Sequence, residues 1–158
     1  EWLRKQFVAV PQEPIFFEET IASNLLYVSE DLTDEKISRA VNLSGLDEIL
    51  ADHDQGLNAK INSINNEFSL GIRKRISLAR AILIDGNFVI FDEPTEGLDI
   101  DGANIFYSFL NSCINSEKTV VVLSHDPAII KGANTIVDLN HRPSPIIKSG
   151  PRSTNNLE

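Results

Sequence analysis

The sequence predicts an α/β fold, a parallel sheet carrying an inserted α-helical subdomain, and three observations carry that expectation. Two unbroken apolar runs of strand length, Phe88-Val89-Ile90-Phe91 and Thr119-Val120-Val121-Val122-Leu123, read as strands buried on both sides of a parallel sheet. Between them, 101–115 carries Ile105, Phe106, Phe109 and Leu110 as a crossover helix, which makes a βαβ unit. Ahead of them, from Glu18 to about Glu67, the chain changes character and reads as short helices and loops.

Taken in order, Phe7-Val8-Ala9-Val10 is a short strand stopped by Pro11. Thr20 to Leu26 reads as a helix. Thr33 caps a second helix with Ile37, Ala40 and Val41 on one face, and Leu46, Ile49 and Leu50 mark a third. The polar, asparagine-rich run 58–66 reads as a loop. Ser69 is a good N-cap, and Ile72, Ile76, Ala79 and Leu83 then follow as the stripe of an amphipathic helix, with Arg73, Lys74, Arg75 and Arg80 on its other faces. A last strand, 135–139, precedes a tail that pairs again at Ile146-Ile147. No internal repeat or low-complexity block interrupts this order.

Composition removes several classes. With 158 residues, 42% of them hydrophobic, the chain can bury one domain-sized core. Its 14 basic against 23 acidic side chains leave a formal charge of −9, so the overall basic footprint of a nucleic-acid binder is missing. Cys113 is the single cysteine, which excludes an internal disulfide framework and fits a reducing compartment. No apolar run approaches the roughly 18–20 residues that span a bilayer, and no signal peptide opens the chain. The sequence holds no methionine, so Glu1 is expected to lie inside a longer protein, and Leu157-Glu158 reads as a cloning remnant.

Ligands of open α/β sheets collect beyond the carboxyl ends of the strands. The two central strands end in Asp92-Glu93 and in Ser124-His125-Asp126. Paired carboxylates there suit a divalent cation and a proton acceptor, because Mg²⁺ prefers hard oxygen ligands and keeps several waters. The adjacent histidine suits a phosphate. The plainer alternative is that Asp92-Glu93 caps a turn before Pro94 and that His125 is a surface loop residue.

Four motifs in order are more specific. Val10-Pro11-Gln12-Glu13-Pro14, Phe68-Ser69-Leu70-Gly71-Ile72-Arg73-Lys74-Arg75, Phe88 through Asp92-Glu93-Pro94-Thr95-Glu96-Gly97-Leu98-Asp99, and Leu123-Ser124-His125-Asp126 together resemble an ATP-binding cassette (ABC) ATPase. In that family's terms they are similar to the Q-loop, the signature motif, Walker B with its D-loop, and the H-loop. The stretch from Pro11 to Leu25, with Phe16-Phe17 and Thr20-Ile21-Ala22-Ser23-Asn24, resembles ABC exporters, including peptide and type I protein exporters.

The resemblance implies a P-loop NTPase-like cassette that hydrolyses ATP with Mg²⁺ to drive transmembrane export. It divides the chain into a Q-loop region (1–17), a helical subdomain with the signature (18–86), a Walker B, D-loop and H-loop core (87–150) and a tail (151–158). It implies that Glu93 is the general base, that His125 contacts the γ-phosphate, and that Gln12 helps hold Mg²⁺ or the attacking water and links the site to a membrane domain. Asp92 would hold Mg²⁺ through water. Ser69 and Gly71 would offer hydroxyl and helix N-terminal N–H groups to ATP bound by a second subunit, and Asp99 would act in D-loop contacts across that dimer. The implied partners are a second cassette, in a homo- or heterodimer, and the coupling helices of a transmembrane domain, with no nucleic acid. Phe16 and Phe17 would lie where those helices pack, or at least one of them serves the core. The implied location is the cytoplasmic face of the cell membrane.

Departures matter as much. Gly-x-x-x-x-Gly-Lys-[Ser/Thr], the phosphate-cradling P-loop, occurs nowhere in the chain. The family carries it N-terminal to the Q-loop, so the chain is expected to be truncated at its N-terminus. The P-loop strand normally sits between the strands ending in Glu93 and His125 or next to them, so an unpaired edge and exposed apolar surface are expected. Leu70 and Ile72 replace a glycine and a glutamine of the signature, and Lys60, Asn62 and Ile64 stand where exporters favour a glutamate and glycines. A leucine at 70 either points away or holds the phosphate off. The site this signature completes is therefore expected to be weak, in a heterodimer or a slow homodimer. Two rivals remain: a soluble ABC ATPase of DNA repair, and a degenerate cassette acting as a nucleotide-binding or regulatory module. The first usually carries a long coiled coil between Q-loop and signature, and no heptad run occurs here.

Overall fold

A computed structural model describes residues 6–28, 32–51, 53–61 and 68–151. The strand β1 (Phe7–Val10) is followed by three short helices, α1 (Ile21–Leu26), α2 (Asp34–Leu43) and α3 (Leu46–Leu50), and a 3₁₀ turn at Gly56–Asn58. The long helix α4 (Leu70–Ile84) then leads into β2 (Phe88–Asp92), α5 (Ile100–Asn115), β3 (Thr119–Leu123), α6 (Pro127–Gly132), β4 (Thr135–Asp138) and β5 (Ile146–Ser149). The expected loop at 58–66, with Asn62 and Ile64, lies mostly outside the described residues, as do Glu1 and Leu157-Glu158.

Helix starts are capped by side chains, at Thr33 and Ser69 as the sequence predicts and at three further residues. The side chains of Thr20, Thr33 and Ser69 accept from the backbone N–H of Ser23, Lys36 and Ile72, each satisfying one orphan donor of a first turn. Asp99 and Asp126 do the same for α5 and α6 through Gly102 and Ala128. The short helix α6, with Pro127 at its first turn, was absent from the sequence reading; six residues hold too few apolar positions to show a period.

The sheet is parallel in the order β1-β2-β3, and Phe7 pairs with Phe88 while Asp92 pairs with Leu123. That register ends all three strands at one edge, so Pro11-Gln12, Glu93 and Ser124-His125 leave the sheet side by side. A direct β2–β3 ladder leaves no place for a strand between them, which removes the first of the two positions expected for a P-loop strand. It also corrects the expectation that β3 is buried on both sides. Val121 and Leu123 are 42% and 46% exposed, because among the described residues nothing pairs with the outer edge of β3 or covers that face. A separate antiparallel ribbon, β4–β5, likewise exposes Val137 and Ile147.

Two apolar cores result. One holds the helical segment together around Ile21, Leu25, Ala40, Leu46, Phe68, Ile76 and Ala79. The other lies under the sheet, where Phe91, fully buried, meets the edge of Phe106 with ring centroids 5.0 Å apart. Ala81 on α4 belongs to this second core, so α4 serves both. That double duty corrects the amphipathic reading. The faces carrying Lys74 and Arg75 are buried too, each residue being only 5% exposed.

Candidate functional site

Glu93 and His125 meet at the carboxyl edge of the sheet. Glu93 follows β2, its backbone N–H donating to the Leu123 carbonyl at 2.9 Å, and the His125 Nε2 stands 3.6 Å from the Glu93 carboxylate. His125 projects into solvent while Glu93 is only 24% exposed. The Glu93 backbone is left-handed, with φ at 40°, a conformation that costs a non-glycine residue on the order of 1–3 kcal/mol and must be held by its surroundings. Asp92 ends β2 beside them, partly exposed.

Among the described residues no three His, Cys, Asp or Glu side chains form a cation cage. Asp92 and Glu93, partly open to solvent at a strand end, are the donor set Mg²⁺ takes when it arrives with phosphates, one or two carboxylates and several waters. The residues present fit a nucleotide-borne Mg²⁺ rather than a resident one.

Gln12 does not reach into this pair directly. Its amide Nε2 donates to Glu96 at 2.6 Å, which ties the segment after β1 to the turn after Glu93. Downstream, α4 fixes the same segment. Arg73 donates to the Pro14 carbonyl (2.8 Å), and Arg80 donates to the carbonyls of Ile15 and Asn24, both at 2.9 Å. Phe16 is half-buried under the guanidinium of Arg80, 4.6 Å from its ring centroid, whereas Phe17 is 48% exposed and stacks on Tyr27. One aromatic packs inward and the other is open, as the sequence reading allowed.

Ser69 caps α4 and Gly71 lies in its first turn, while Asp99 caps α5. The Asp99 carboxylate accepts from Gly102 N–H (2.7 Å) and from Arg75 (3.2 Å), and the first of these bonds does most to hold it below the usual carboxylate range. Asp99 is thus engaged within the chain. The side chain of Leu70 turns onto Gly97: a Cβ placed on Gly97 would stand 2.6 Å from Leu70 Cδ2. Leucine is accommodated there because position 97 has no side chain. Ile72 lies half-buried against the helical core.

The family-model comparison matches residues 1–96 to the ABC transporter family. This chain belongs to the ABC transporter family. The family's ATPase domain binds ATP, generally with Mg²⁺, and hydrolyses it. Over 141 residues the chain is 31% identical to the alpha-hemolysin translocation ATP-binding protein HlyB of Escherichia coli O157:H7, covering 89% of this chain and 20% of that protein. It is 33% identical to an ATP-dependent lipid A-core flippase of Legionella pneumophila, covering 89% of this chain and 24% of the relative. An ABC transporter B family member of Arabidopsis thaliana, number 21, is 30% identical over 97% of this chain and 12% of its own length. The fold matches a bacterial Atm1-family ABC exporter with ATP bound at a TM-score of 0.77 and 24% identity, over 85% of this chain and 23% of that one. The chain thus spans between 12% and 24% of these relatives.

In the ABC frame, three positioning features escaped the sequence reading. Lys74 and Arg75 are buried side chains that bind backbone carbonyls, of Glu93 and Gly45 respectively. Basic residues in consecutive positions of an otherwise apolar helix, without acidic partners one turn away, are the signal that pointed there. Glu96 holds Gln12, and neither residue announces the other from 84 positions away. Asp126 accepts from Tyr107 (2.5 Å) and Thr95 (3.1 Å), anchoring the residue next to His125 to both α5 and the Walker B turn. These bonds, the Tyr107 one first, hold Asp126 below its ordinary range, and the same bond pushes Tyr107 up to about 12.

Proposed function

We propose that this chain is the part of an ABC exporter's nucleotide-binding domain that supplies the general base, the γ-phosphate histidine and the signature serine. The observation that carries the reading is the approach of His125 to Glu93, 3.6 Å apart where two parallel strands end. Glu93 orients and deprotonates the attacking water, and His125 donates to the γ-phosphate. Asp92, with Gln12 released from Glu96, would hold Mg²⁺, which when bound neutralises charge on the transferring phosphoryl group. Ser69 and Gly71 at the start of α4 offer donors to ATP held by a second cassette. The division into Q-loop region, helical subdomain and Walker B core at 17/18 and 86/87 is part of this reading. So are the dimer partner, the coupling helices of a membrane domain near exposed Phe17 and Tyr27, and a place at the cytoplasmic membrane face.

The departures at Leu70 and Ile72 favour a second reading, a degenerate cassette that binds nucleotide or partners without turnover. One experiment separates the two. In the full-length protein, Glu93→Gln removes the proton acceptor and keeps shape, so Mg-ATP turnover falls to near background while ATP binding is spared. His125→Ala slows turnover strongly. A parent that binds ATP without turnover in its unaltered form supports the degenerate reading, and a Glu93→Gln variant at near-normal rates removes Glu93 from its role.

A further inference from the structure

The buried ammonium of Lys74 has no part in the roles assigned so far. Its Nζ donates to the Glu93 carbonyl at 2.6 Å, from a residue 5% exposed on the second turn of α4. That carbonyl also accepts the Glu96 N–H at 3.3 Å, closing the turn that follows Walker B. Burial pulls the Lys74 pKa down, against the opposing pull of the Glu96, Glu93 and Asp92 carboxylates. Glu96 in turn accepts from Gln12 at 2.6 Å.

The chemistry of this arrangement concerns shape. Glu93 sits at φ 40°, and left-handed backbone in a non-glycine residue persists only where neighbours over-determine it. Three bonds act on its peptide groups: the N–H bound to the Leu123 carbonyl in β3, and the carbonyl bound by both Lys74 and the Glu96 N–H. Together they fix the direction in which the carboxylate leaves the backbone, toward His125.

We propose that Lys74 is a positioning residue for Glu93: by binding its carbonyl it holds the left-handed turn that aims the carboxylate at the site of water attack. Glu96, whose N–H binds the same carbonyl, links that turn to Gln12. The inference rests on the reading of Glu93 as the general base and extends it to the residue that sets its geometry. Lys74→Met keeps the apolar stem in place and removes the ammonium donor. A misplacement of about 1 Å costs on the order of a hundredfold in rate. Loss of the shortest of these three bonds is expected to cost roughly ten- to a hundredfold on that scale.

The test uses the full-length protein and measures kcat and KM for Mg-ATP, the Kd of a non-hydrolysable ATP analogue, and the melting temperature. Lys74→Met lowers kcat by that factor, with KM, Kd and melting temperature nearly unchanged. Lys74→Gln retains an N–H donor one bond shorter and recovers most of the loss. In a Glu93→Gln background, Lys74→Met adds no further loss, because both act through one group. If Glu93→Gln abolishes turnover and Lys74→Met leaves kcat intact, the inference is overturned and the reading of Glu93 stands. If Glu93→Gln keeps near-normal turnover, the underlying reading is overturned instead. A fall in kcat that tracks a lower melting temperature or a raised KM makes Lys74 merely structural. Should Lys74→Met fail to fold, Lys74→Leu, which also removes the donor, carries the test: the same kcat loss at unchanged Kd supports the inference, and no loss overturns it.

Discussion

Gly45 offers a sharp test of how the helical insert is joined to the D-loop. It begins α3 with φ at +66°, and its carbonyl accepts from Arg75 at 3.2 Å. A methyl group there would come closer than 3.0 Å to both Arg75 Nη1 and Ile105 Cδ1. The Arg75 tip cannot give way cheaply, because its side chain is 6% exposed and tied to Asp99 at 3.2 Å, and Ile105 is half-buried in α5. Gly56 is the control, because its φ is +49° and nothing lies within 4 Å of a Cβ. In Gly56→Ala only the left-handed backbone matters, at roughly 1–2 kcal/mol. A lower entropy of the unfolded chain offsets that cost by about 0.4–1 kcal/mol. Gly45→Ala adds overpacking, typically about 1–3 kcal/mol. Melting followed by far-ultraviolet circular dichroism reads the difference, at about 2–4 °C per kcal/mol for a chain of this size. Equal shifts for the two variants would refute the argument that Arg75 fills the space over Gly45.

Other outcomes follow from the same contacts. Tyr107 is pushed up to about 12 by its bond to Asp126, so the stability it lends is fully present below its ordinary value of 10.0 and is lost as pH rises from there through the folded value. Alkaline titration of tyrosinate absorbance shows a component near 12 that Tyr107→Phe removes and Asp126→Asn moves toward 10; its absence would break the pairing. Leu70→Gly with Ile72→Gln in the full-length protein separates two causes of a weak signature. Because Leu70 already lies on Gly97, the glycine alone changes ATP-driven dimerisation little and any gain comes from the glutamine; a large gain from Leu70→Gly alone would show that leucine obstructs the nucleotide. Isothermal titration of the 158-residue chain with Mg-ATP detects no micromolar site, since the sequence lacks the lysine and N–H cradle that supply most phosphate contacts.

What the sequence determined by itself was local or ordered along the chain. Strands β1 to β4, five helices and the caps Thr33 and Ser69 follow from apolar periodicity and from side chains that bond their own neighbours. The four motifs named the family because their order and spacing are linear properties. Pairings between distant residues have no such trace. The direct β2–β3 ladder, the turn of Leu70 onto Gly97, the hold of Glu96 on Gln12 and the burial of Lys74 and Arg75 were decided only by tertiary structure. The physical reason is shared. A lysine or arginine on a helix reads as solvated until a second layer covers that face, and what it then binds is a backbone carbonyl, a group every residue carries and no sequence marks.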